Sequence, residues 1–138
     1  MNDQARERVL TELDHVRLAT LSSRVPGPDR SASARIDAVL DEASVVPSRG
    51  VAPDIVTMYS QVMLRFPDDG VRRKLVLCYP GDADARLGRI SVLSPIGLGL
   101  LGQRVGSAVR WTSPDGSHRI AEVEAILFQP EASGDYTT

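Results

Sequence analysis

The sequence predicts an α+β chain: a short antiparallel helical hairpin, in effect a two-armed coiled coil, followed by an antiparallel sheet packed on one short helix. Three observations predict it. Residues 3–22 and about 31–44 carry apolar side chains at three- and four-residue spacing. After residue 50 the pattern changes to alternating or continuous apolar runs separated by turn residues, as in strands. Between two such runs lies GRISVLSPIGLGLLG, Gly88 to Gly102, where an apolar run turns sharply into a helix too apolar to face water and too short to cross a membrane. The expected division is residues 1–50 for hairpin and linker and 51–138 for the sheet domain.

In the first arm, Val9, Leu13 and Val16 set the apolar stripe and Leu10, Leu18 and Leu21 broaden it, which leaves Arg6, Glu7, Glu12, Asp14 and Arg17 for the wet side. SSRVPGPD, Ser22 to Asp29, stops the helix with two prolines around a glycine. The second arm is expected to start at Ser31 or Ser33 as N-cap and to bury Ile36, Val39, Leu40 and Ala43. At about 1.5 Å per residue each arm reaches roughly 20 to 30 Å. PSRGVAPD, residues 47–54, reads as a linker about which the hairpin moves as a unit.

The sheet domain follows. A long strand is expected over Ile55 to Phe66, with Val56, Met58, Val62 and Leu64 on one face, then the turn PDDG and a returning strand over Arg72 to Tyr79. Pro80 to Gly88, with Asp82, Asp84 and Arg86, is an exposed connection. Ile90 to Leu93 form the next strand, and Ser94 and Pro95 are the pair expected at the N-cap and first position of a helix. Ile96, Leu98, Leu100 and Leu101 make that helix apolar. Ala108 to Thr112, the turn SPDG and Ile120 to Phe128 supply the last two strands.

Composition excludes several classes. The formal charge is −2 and is evenly spread, with seven basic and eight acidic residues in 1–50 and nine and ten in the remainder. No basic half exists to hold a phosphate backbone, so sequence-specific nucleic-acid binding is not expected. One cysteine, Cys78, makes no internal disulfide, and MNDQARERV has no apolar secretion segment. The expectation is a cytoplasmic protein without membrane contact, monomeric unless the hairpin's apolar stripe pairs with another copy.

Candidate chemistry is sparse. Gly97, Gly99 and Gly102 spell GxGxxG, but only three residues separate Gly102 from Gly106, leaving no room for the long helix a dinucleotide site requires. His15 and His118 have no partners at zinc spacing, and the acid pairs Asp68/Asp69 and Asp82/Asp84 read as solvated turn residues. Cys78 lacks a neighbouring base, and Ser91, Ser94 and Ser107 sit in no nucleophile elbow. No catalytic residue, cofactor or metal is expected.

The succession ISVLSP, GLGLLG, VGSAVRW, SPDG and EVEAI resembles the carboxyl-terminal domain of the bacterial Gre transcript-cleavage factors, and the ending FQPEASGDY is similar to that of the regulator of nucleoside diphosphate kinase (Rnk) family. The resemblance implies an FKBP-like domain that docks on RNA polymerase near its secondary channel. It also implies a docking face containing Asp82, Asp84, Ser91, Ser94, Pro95 and Ile96. In Gre factors acids at the hairpin tip help hold a catalytic Mg²⁺; here the turn offers Arg24 and one acid, Asp29, so competition with Gre factors without RNA cleavage is implied. Alternatives are direct action on a partner such as nucleoside diphosphate kinase, or peptidyl-prolyl isomerase activity. The latter needs an aromatic-walled pocket from a chain with only six aromatic residues.

Overall fold

A computed structural model describes residues 8–24, 30–113 and 115–135. Its architecture is α+β, with two long helices and a curled sheet. The elements run β1 (Val9–Thr11), α1 (Glu12–Ser23), α2 (Arg30–Glu42), β2 (Ser44–Val46), β3 (Gln61–Phe66), β4 (Val71–Cys78), β5 (Arg89–Ser91), α3 (Pro95–Leu100), β6 (Ala108–Thr112) and β7 (His118–Phe128). The main sheet has the order β5-β4-β3-β7-β6. Its pairs are antiparallel except β4–β5, which is parallel, so the sheet is mixed where an antiparallel one was expected. The parallel pair arises because the connection of residues 79–88 crosses back before β5 starts, through two single 3₁₀ turns.

The first helix begins later than its periodicity suggests. Residues 3–7 of the expected helix lie outside the described residues, and Val9–Thr11 form a strand parallel to Ser44–Val46. Thr11 is the reason for the late start: it is extended, and its Oγ1 accepts the Asp14 N–H at 3.0 Å as the N-cap of α1. The second arm ends at Glu42 rather than Ser44, because Ser44 N–H donates to Arg8 O at 2.9 Å and enters β2. A clasp joins the arms. The Ser22 hydroxyl, buried between them, donates to Asp37 Oδ1 at 2.7 Å and lies 2.8 Å from Ser33 Oγ. The turn that joins the arms, including Asp29, lies outside the described residues.

Asp14 is the chief departure in the first arm. Expected on the wet side, it is 1% exposed, whereas Val16, expected on the apolar stripe, is 62% exposed. The face of α1 that meets the protein therefore runs through Asp14, Leu18 and Ser22. A buried carboxylate needs donors, and one comes from the second half of the chain: Met58 N–H donates to Asp14 Oδ2 at 3.1 Å.

The segment that meets Asp14 was expected to be the start of a strand. Instead the strand begins at Gln61, and Ile55, Val56, Thr57, Met58 and Ser60 form an irregular run that is almost wholly buried. Tyr59 interrupts any ladder there with φ 67°, and its N–H is taken by Leu77 O at 2.6 Å. The run is satisfied from three sides. Val56 N–H reaches Gln103 O at 2.9 Å, Thr57 N–H reaches Ser60 Oγ at 2.9 Å, and Gln129 Nε2 donates to Ala52 O and Ile55 O, each at 2.8 Å. Thr57 Oγ1 donates to Glu131 Oε1 at 2.7 Å. Gln129 and Glu131 belong to the tail FQPEASGDY, whose Tyr136 lies outside the described residues; the tail thus fastens the segment after the linker.

One apolar cluster unites Leu10, Leu18, Ile36 and Val39 with Val62, Leu64, Leu77, Leu100, Leu101 and Val123. The seam between hairpin and sheet is also bonded through the backbone, Val9 N–H donating to Gly102 O at 3.1 Å. Gly102 has φ +77°, and a Cβ there would lie 3.0 Å from Val9 O, so the close approach of β1 depends on glycine. At α3 the constraint is tighter. A Cβ on Gly97 would stand 2.1 Å from Ser91 O.

Two outcomes follow. Gly97→Ala forces α3 away from β5 and should lower stability by about 1 to 3 kcal/mol, read as a shift of the urea midpoint. Burial pushes the Asp14 carboxyl up to about 6, above its unfolded value, while the hydrogen bond from Met58 N–H opposes the shift. The folded state therefore holds that proton more tightly. The Asp14 contribution should be fully present below about pH 4 and be lost as the pH rises through about 6, a difference of roughly 3 kcal/mol for a two-unit shift. Asp14→Asn should remove it. Thermal melts of both proteins from pH 4 to 8 check this: the gap between them should grow up to about pH 6 and then level.

Candidate docking face

β5 has the acidic connection at its start and the strand-to-helix junction at its end. Asp84 forms an antiparallel bridge with Arg89, the N–H of each donating to the other's carbonyl at 3.0 Å, and Ser91 lies two residues further on. At about 3.3 Å per residue, Ser91 lies roughly 7 Å along the strand from Arg89, the bridge partner of Asp84. The fold therefore brings Asp84 and Ser91 of the expected residue set to one edge of the sheet.

The residues differ in what they leave free. Asp82 is exposed at the end of the 3₁₀ turn Pro80–Asp82, and its Oδ2 accepts the Tyr59 hydroxyl. Asp84 is half-buried and caps the next turn, Ala85–Leu87, its Oδ1 accepting Arg86 N–H at 3.0 Å with Arg86 Nε at 3.5 Å. The two serines are committed to backbone. Ser94 Oγ donates to Ser91 O at 2.7 Å and accepts Gly97 N–H at 3.1 Å, while Ser91 Oγ accepts Leu93 N–H at 3.0 Å. They shape the junction rather than present donors. Pro95 is exposed at the first position of α3; Ile96 is half-buried and packs against the core.

Two neighbours escaped the sequence reading. Leu87, within the connection, is 63% exposed. Its only signal was an apolar residue in an otherwise polar stretch. Tyr59, left-handed in its backbone and two residues before β3, reaches Asp82 with its hydroxyl, and its ring meets Tyr79 at 5.8 Å between ring centres. Partial burial first, and then the hydrogen bond and charge of Asp82, push its hydroxyl up to about 12. The phenol stays protonated and donates to the carboxylate.

Other candidate chemistry is placed plainly. Cys78 is buried on β4 with Sγ donating to Ile90 O at 3.4 Å, and burial pushes its thiol up, away from the thiolate. His15 Nε2 lies 3.4 Å from Leu40 O, and His118 is exposed at the start of β7. Among the described residues no group of three His, Cys, Asp or Glu is placed to hold a metal ion, and no helix is long and apolar enough to cross a membrane.

A helical hairpin seated on a small curled sheet, with a Ser-Pro-capped helix at the sheet edge, is the architecture of a Gre-type factor. Residues 51–128 match the family model described as transcription elongation factor GreA/GreB, C-terminal. A solved structure of a prokaryotic transcription elongation factor GreA/GreB from Nitrosomonas europaea superposes with a TM-score of 0.73 at 30% identity, over 88% of this chain and 98% of that one. Among curated relatives, GreA of Flavobacterium johnsoniae is 32% identical over 66% of this chain but only 58% of its own length. The regulator of nucleoside diphosphate kinase of Escherichia coli K12 is 34% identical over 93% of this chain and 94% of its own. The chain belongs to the GreA/GreB family and, within it, to the regulators of nucleoside diphosphate kinase.

Proposed function

We propose that this chain is a non-catalytic transcription regulator that docks on bacterial RNA polymerase near the secondary channel, in the cytoplasm, through the edge built around β5. It competes there with Gre-type factors without stimulating RNA cleavage, and its effect on nucleoside diphosphate kinase levels runs through transcription. The observation that carries this reading is the surface combination at that edge: exposed Asp82 and Pro95, half-exposed Asp84, and Leu87 standing 63% open to solvent. An exposed apolar residue with charged neighbours along the chain suits a small docking centre, with the acids steering a basic partner.

The absence of a cleavage role rests on charge. A catalytic Mg²⁺ is held through carboxylate oxygens together with water and phosphate, and the turn SSRVPGPD supplies one acid beside Arg24. The arms are also short: α1 has twelve residues, about 18 Å at 1.5 Å per residue.

The test is binding to purified core RNA polymerase with a cleavage factor as competitor. Asp82→Lys and Leu87→Asp should each weaken binding by about tenfold, comparable to losing one interfacial anchor, while far-ultraviolet circular dichroism stays unchanged. Asp84 is avoided because it caps a turn. Unaltered binding in both variants rejects this face. Capture of nucleoside diphosphate kinase in place of polymerase would transfer the assignment to direct action on the kinase. Accelerated RNA hydrolysis in stalled complexes would overturn the non-cleaving role.

A further inference from the structure

Between α2 on one side and α3 with β6 on the other, the surface sinks into an open groove of about 420 Å³. Arg8, Arg35 and Val39 line the hairpin side; Pro95, Leu98 and Trp111 line the other. Among the described residues, no acidic one lines it. The volume falls in the range of small-molecule sites, roughly 300 to 1,000 Å³.

Arg8 is already held in position. Its Nη1 donates to Leu98 O at 2.6 Å and Leu101 O at 2.9 Å, the carbonyls at the end of α3, leaving Nε and Nη2 without a described partner. The guanidinium forms no ion pair among the described residues, and its burial lowers its pKa, with Glu42 acting in the opposite sense through its charge. A partly buried cation that spends two N–H groups on neutral carbonyls retains capacity for an anion. Arg35, exposed on α2, likewise forms no ion pair with a described residue.

The opposite wall is aromatic. Successive strand residues project to opposite faces, so Trp111 shares a face with Val109. A Cβ on Gly99 would meet Val109 Cγ1 at 2.8 Å, so this face looks towards α3, and Trp111 at its end lines the groove. The Trp111 ring is half-buried and braced edge-on by Phe66, at 6.2 Å and 81°.

We propose that this groove binds a phosphorylated nucleoside, with the phosphates on Arg8 and Arg35 and the base against Trp111. Guanidinium groups pair with phosphate oxygens through fixed, planar donors, and an indole offers the flat apolar surface on which a base stacks. The site needs no glycine-rich phosphate loop, because side chains supply its cationic donors. It is also independent of the polymerase reading, although Pro95 borders both regions.

Trp111 is the only tryptophan, so its emission reports on the groove. The full chain is titrated with ADP and with GDP, and with adenosine and pyrophosphate as part-ligands, following fluorescence and calorimetric heat. Saturable binding of a nucleoside diphosphate is expected, at least about tenfold tighter than either part alone, since one charged hydrogen-bond set or one stacked ring is worth about that factor. Arg35→Glu should weaken it by about tenfold or more without moving the thermal midpoint. Arg8→Lys keeps a cation while removing the planar fork, and should weaken it as well. Asp82→Lys should leave it unchanged, which separates this site from the docking face. No saturable heat, unchanged affinity in Arg35→Glu, or equal affinity for pyrophosphate and nucleotide would overturn the proposal. Binding of a glutamate-rich peptide with none of nucleotide would overturn it too, assigning the groove to an acidic protein segment.

Discussion

The structure depends on the seam where the first strand meets the end of α3. Val9 N–H bonds to Gly102 O, Arg8 bonds to two α3 carbonyls, and Gly102 has no side chain to keep β1 at a distance. Once β1 is fixed there, Thr11 caps α1 and Asp14 comes to lie against Met58 N–H. Leu10, Leu18, Ile36 and Val39 then join the sheet's apolar residues in one core. A domain built on residues 51–128 alone would be small for stability. Sharing a core with the hairpin enlarges it, and the contact made by Asp14 gives the junction a carboxylate whose protonation is linked to packing.

The proposed docking edge divides its polar groups between serines turned to the backbone and acids turned to solvent. Ser91 and Ser94 satisfy the backbone at the turn from β5 into α3, so the proposed face offers a fixed junction and not a set of free hydroxyls. Asp82 and Leu87 lie on 3₁₀ turns just outside the sheet and Asp84 caps the second of them; in the proposed docking, surface charge would act on approach and the exposed apolar side chain on contact. The groove between α2 and β6 has the opposite character: cationic, and backed by the one indole.

Helix and strand periods, together with local punctuation, made much of the fold legible. Ser94-Pro95 announced α3 because an N-cap oxygen and a proline at the first helical position act within a few residues. The alternation in Gln61–Phe66 and Ala108–Thr112 announced strands for a similarly local reason. Val56 and Met58 continued that alternation into a segment that is not a strand. An apolar residue buried in an irregular loop leaves the same mark on the sequence as one buried in a sheet.

By itself, then, the sequence determined the order of the helices and of the five strands of the main sheet, and the family, since both rest on residue types and short spacings. The tertiary structure alone decided that Val9–Thr11 is a strand, that Asp14 is buried and Val16 exposed, that β4 and β5 run parallel, and that Arg8, Arg35 and Trp111 face one groove. Each of these depends on contacts between segments distant in the sequence, 13 residues apart for Val76 and Arg89 in β4 and β5 and 44 for Asp14 and Met58. A helical pattern reports which side chains line up on one face, whereas the partner brought to that face by the rest of the chain decides which face is buried.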